Sequence, residues 1–78
     1  MAIKRETAIG RKLGQKVREL RKNKGLTQER LAELSDISYK HIQRIEGKPN
    51  HASFITLASL SRLAAALDTS LSNLVHFD

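Results

Sequence analysis

The stretch LTQERLAELSDISYKHIQRIEG, residues 26–47, gives the same instruction twice. Leu26, Thr27 and Leu31 have the spacing of a capped and stapled helix start. The threonine hydroxyl accepts from an otherwise unpaired N–H of the first turn, and the two leucines fix the angle of entry. Ile37, Ser38 and Ile42 repeat the pattern. Thr27 and Ser38 stand eleven residues apart, which leaves room for two short helices and a turn of about four residues. The first helix is expected to turn Leu31, Ala32 and Leu34 inward and to give out near Ser35–Asp36. Gly47 and Pro49 are expected to end the second.

The second helix has two unlike faces. At 100° per residue, Gln43 lies roughly 40°, Lys40 roughly 100° and Arg44 roughly 140° from Tyr39, while Ile42 and Ile45 fall on the opposite arc. The isoleucines anchor the helix and the other arc presents long hydrogen-bonding side chains. Such side chains suit base edges: Arg and Lys donate to guanine O6 and N7, and Gln pairs with adenine N6 and N7. A solvated helix face with no partner has the same composition.

Outward from this unit the pattern stays helical. Ile9, Leu13, Val17 and Leu20 recur on one face of a first helix, which ends in a basic turn and a C′ glycine at Gly25. Residues 47–53, GKPNHAS, read as a loop. Ser53 is the expected cap of a further helix carrying Phe54, Leu57, Leu60, Leu63, Ala64 and Leu67. After DTS at 68–70, a short last helix holds Leu71, Leu74 and Val75. Five helices and no credible strand predict one all-α domain over residues 1–78, with its helix-turn-helix unit at about 27–47 and residues 1–6 flexible.

The charge is divided along the chain. Residues 1–48 hold thirteen Lys and Arg against six Asp and Glu; residues 49–78 hold Arg62 against Asp68 and Asp78. A basic half joined to a nearly neutral, apolar half fits a polyanion on one side and the core or a second copy on the other. The chain has no cysteine, so disulfides, thiol nucleophiles and zinc fingers are excluded. No apolar run reaches the roughly 20 residues of a membrane span, and MAIKRETAIGRKL lacks a signal-peptide core. A cytoplasmic location is expected.

Taken together, RELRKNKGLTQERLAELSDISYKHIQRIEGK, Arg18 to Lys48, and LAAALDTSLSNL, Leu63 to Leu74, resemble the Cro and phage-repressor type of helix-turn-helix domain, which includes the controller proteins of restriction–modification systems. The resemblance runs from about Ile9 to Leu74. It implies a five-helix, lambda-repressor-like DNA-binding domain. In that family the glutamine matching Gln28 meets a phosphate at a helix N-terminus, where exposed N–H groups favour an anion; Thr27 stands beside it. The positions of Ser38, Tyr39, Lys40 and Arg44 read bases, and those of Gln43 and Lys48 are expected on backbone phosphate. Arg21 and Glu46 match a buried ion pair found in several relatives. One departure is Asp36, at a turn position where the family usually has a glycine with positive φ; Asp tolerates that region better than most residues.

The resemblance implies a regulator of transcription that binds double-stranded DNA as a homodimer, a repressor or other controller acting at its own promoter. Leu71, Leu74, Val75 and Phe77 are the expected dimer surface, with closure of the domain's own core as the alternative. A second reading, of another class, is a DNA-binding or protein-interaction subunit such as half of a toxin–antitoxin pair. RNA binding is a weaker third, because one Tyr and two Phe make no stacking platform. His41, His51 and His76 lack metal spacing, Gly10 and Gly14 are too isolated for a phosphate loop, and no nucleophile constellation is visible. No cofactor, metal, small-molecule substrate, membrane or enzymatic activity is expected.

Overall fold

In a computed structural model, residues 2–47 and 55–76 are described, with side chains from Ala8 onward. Five helices lie among them: α1 (Ala2–Asn23), α2 (Gln28–Ser35), α3 (Tyr39–Gly47), α4 (Leu57–Ala66) and α5 (Leu71–Leu74). No strand occurs among the described residues, and the all-α expectation holds. Residues 2–6, expected as a flexible start, belong to α1. α3 packs on both α1 and α2, α4 packs on α2, and α5 closes against α4 and α1.

The core is aliphatic. Val17, Leu31, Ile42, Ile45, Leu63 and Leu74 are all at or below 1 % exposed. Complete burial of such a side chain is worth about 1.5–3 kcal/mol, so a few residues from each helix hold the body together. The staple leucine Leu26 packs at its edge with Leu20, Ile55 and Leu60.

Three helices end in the same way. Gly25, Asp36 and Asp68 are left-handed, with φ of 69°, 57° and 57°. After α1, the Gly25 N–H donates to the Lys22 carbonyl and the Leu26 N–H to the Arg21 carbonyl, at 2.9 and 3.0 Å. Asp36 with Ile37, and Asp68 with Thr69, make the same double closure onto α2 and α4. This is the Schellman pattern, which satisfies carbonyls that a helix end leaves unpaired. Asp36 thus keeps the turn a glycine would make.

Several inward positions differ from expectation. Ile9 is 53 % exposed. The buried arc of α1 is formed by Gly10, Leu13, Gly14, Val17 and Arg21; on a helical wheel Ile9 lies roughly 90–100° from its centre. The apolar stripe is off-centre because glycine and arginine occupy part of the contact face. A Cβ built on Gly14 would overlap the Ile45 carbonyl oxygen, so the missing side chain is what lets α1 approach the end of α3.

In α2, Leu34 is exposed and Ser35 is buried in its place. The Ser35 hydroxyl donates to the Leu31 carbonyl at 2.7 Å, so it is buried without an unpaired donor. α4 starts later than expected: its N-cap is Thr56, whose Oγ1 accepts from the Ser59 N–H at 3.1 Å. Ser53 and Phe54 lie outside the described residues. Leu57, the first helical residue, points outward and is 67 % exposed.

Candidate nucleic-acid interface

The start of α3 is set locally, as its sequence predicts. The His41 N–H donates to Ser38 Oγ at 3.1 Å. Ile42 and Ile45 pin the inner side, and Tyr39, Lys40, Gln43 and Arg44 are exposed on the other. Lys40 and Arg44 form no ion pair with any described residue. Tyr39 and Gln43, one turn apart, are joined: Gln43 Nε2 donates to the tyrosine oxygen at 3.0 Å.

The N-terminus of α2 faces the end of α3. Thr27 Oγ1 accepts from the Arg30 N–H at 3.0 Å. Gln28, half-buried, donates through Nε2 to Glu46 Oε1 at 3.1 Å. Its carbonyl and second N–H are not used in that bond. It is therefore oriented by α3 rather than freely solvated.

Glu46 is the centre of this contact. Arg21 Nε and Nη2 donate to its two oxygens at 2.7 and 2.9 Å, while Nη1 donates to the Leu26 carbonyl at 2.7 Å. The glutamate side chain is only 3 % exposed. The hydrogen bond to Glu46 is the main cause that raises the Arg21 pKa above its ordinary value; burial works against it and the carboxylate charge adds to it. The pair that the family resemblance implied is present. It ties α1, the α1–α2 turn and α3 together.

Beside this pair lies an open cleft of about 390 Å³ lined by Arg18, Arg21, Gln28, Gln43, Glu46 and Gly47. Arg21 and Glu46 neutralise each other, so exposed Arg18 gives the rim a positive charge. Sequence reading did not single out Arg18. Its available signal was the i, i+3 relation to Arg21, which places both on neighbouring parts of one helix face.

The expected dimer surface is reduced. Leu74 is completely buried in the protein's own core and cannot offer surface, while Leu71 is half-buried and Val75 exposed. Leu74 turns inward because capped α5 folds back on α4 and α1. Lys48 and Phe77 lie outside the described residues, as do Pro49 and His51. Among the described residues no group of three or more His, Cys, Asp or Glu could hold a metal ion. No described helix is long and apolar enough to cross a membrane.

The chain matches the family model described as helix-turn-helix over residues 17–74. It is also similar to a solved structure, the restriction-modification controller protein C.AhdI from Aeromonas hydrophila. The two are 37% identical and superpose with a TM-score of 0.77, covering 86% of this chain and 97% of that one. No curated protein matches.

Proposed function

This chain belongs to the helix-turn-helix family, and we propose that it is a sequence-specific double-stranded DNA-binding regulator of transcription, of the restriction–modification controller kind. One observation carries the reading: α3 is held from behind by Ile42 and Ile45 and leaves Tyr39, Lys40, Gln43 and Arg44 facing outward. A helix so mounted fits the major groove, with α2 crossing the backbone. Ser38, Tyr39, Lys40 and Arg44 are the proposed base contacts. Thr27, Gln28 and Lys48 are proposed at phosphates, and Arg18 joins them as a cation at the cleft rim.

A single recognition helix reads few base pairs. The active form is accordingly a homodimer on a two-fold operator, its two α3 helices about 34 Å apart on one face of the duplex. It acts by binding rather than catalysis, in the cytoplasm with the DNA, and residues 1–78 work as one domain.

Selection of bound duplexes from a random library tests this. The expected result is a pair of inverted half-sites with centres about one helical turn apart. No enrichment of any sequence, or equal affinity for every duplex, overturns base reading; one enriched half-site without symmetry overturns the dimer.

A further inference from the structure

We propose that Gln43 reads an adenine and that Tyr39 sets its amide for the task, so that the two side chains act as one reading unit. The inference rests on α3 being the recognition helix and goes beyond it by naming the base. It also moves Gln43 from the phosphate contacts, where family resemblance put it, to the base contacts.

The hydrogen bond from Gln43 Nε2 to the Tyr39 oxygen, 3.0 Å long, lies on the exposed face of α3. A glutamine amide has two N–H donors and one carbonyl oxygen. Pairing with adenine uses the carbonyl, which accepts from N6–H, and one N–H, which donates to N7. Those groups must lie side by side, so the N–H used is the one cis to the carbonyl. The other N–H points away from that edge. A partner that takes it leaves the adenine-reading edge intact, and a phenol oxygen one turn back along the helix is placed to be that partner.

A phosphate contact would use the amide differently. Phosphate oxygens only accept, so the amide carbonyl would contribute nothing, and one of the two donors is already committed to Tyr39. The bond also fixes which way the amide faces. Once the Tyr39 hydroxyl donates its hydrogen to an acceptor on the DNA, its lone pairs face Gln43 and only the N–H side fits. The tether further removes side-chain freedom before the duplex arrives, freedom an isolated glutamine would lose on binding. Gln43 also borders the cleft of Arg18 and Gln28, so a phosphate contact is the competing outcome.

The test uses the full chain, its Gln43→Ala and Tyr39→Phe variants, random-duplex selection and fluorescence anisotropy. Both side chains are exposed, and thermal melts check that the variants fold. The unaltered protein should enrich adenine at one position of each half-site. Gln43→Ala should lose that preference alone, by roughly 5- to 150-fold. Tyr39→Phe should weaken preference at the same position, in addition to any contact its own hydroxyl makes, and leave the positions read by Lys40 and Arg44 intact. A 7-deaza-adenine there, which lacks the N7 acceptor, should weaken the unaltered protein and leave Gln43→Ala unchanged. Equal weakening of all duplexes by Gln43→Ala would make it a phosphate contact and overturn the proposal. An unaltered preference in Tyr39→Phe would overturn the positioning role. If the unaltered protein enriches no sequence, the recognition-helix reading fails with it, a result distinct from either.

Discussion

Arg21 and Glu46 share two hydrogen bonds across the junction of α1 and α3, Nε to Oε2 at 2.7 Å and Nη2 to Oε1 at 2.9 Å. The bonds seat the end of the recognition helix against the first helix. Both charges are largely out of water, so each depends on the other for solvation. Arg21→Ala and Glu46→Ala should each lose about 3–5 kcal/mol in urea unfolding, because the remaining charge is stranded. Replacing both at once, Arg21→Met with Glu46→Leu, should recover most of that loss. Single variants that lose less than about 1 kcal/mol would show the pair to be solvated instead.

The same pair has a predictable pH signature. Arg21 has a raised pKa in the folded protein. Stability from a raised pKa is fully present below the unfolded value and disappears only as pH rises through the folded one. That window lies in the strongly alkaline range of arginine. Unfolding followed between about pH 6 and pH 9 should therefore show no contribution from Arg21 titration. A loss in that interval that vanishes in Arg21→Met/Glu46→Leu would contradict this.

Gly14 and Gly47 should answer alanine in opposite ways. At Gly14 a Cβ meets the Ile45 backbone carbonyl, whereas at Gly47 it meets open space. Gly14→Ala should cost about 1–3 kcal/mol by forcing α1 away from α3. Each kcal/mol lowers the midpoint of thermal unfolding by roughly 4–8 °C in a domain of this size. Gly47→Ala should change stability by less than about 0.5 kcal/mol. Equal melting of the two variants would remove the close approach from the account.

Asp36 is a strained position with a simple remedy. It holds φ of 57° to close α2, where a side chain is unfavourable and glycine is not. Asp36→Gly should stabilise the protein by up to about 1 kcal/mol, with DNA affinity unchanged. Its carbonyl still accepts from Arg62 Nη1 at 3.3 Å, a contact that does not need the carboxylate. A destabilised Asp36→Gly would mean the side chain has a role beyond the turn.

Arg44 is the plainest test of base reading. It is exposed and unpaired among the described residues. Arg44→Ala should cost roughly 1–3 kcal/mol on the selected operator and loosen preference at one base pair. On a scrambled duplex the loss should be smaller and follow salt alone. Equal losses on both duplexes, read by anisotropy, would move Arg44 to the phosphate contacts.

Residues 21–47 alone determined where α2 and α3 begin, that Gly25 closes α1, and which arc of α3 faces out. Each is settled within about one turn: a hydroxyl reaches an N–H three residues on, a left-handed residue closes the helix behind it, and side-chain direction follows the helical period. The Arg21–Glu46 pair was legible only through family resemblance, since nothing local joins residues that far apart in sequence. Only the tertiary structure decided burial. Ile9, Leu34 and Leu57 belong to apolar patterns yet face solvent, while Ser35 and Arg21 are enclosed. Leu74, read as surface for a second copy, fills the core instead. Periodicity gives a face, but the helix packed opposite determines which part of it is covered. Here that depended on Gly14 admitting the Ile45 carbonyl and on α5 folding back over α4.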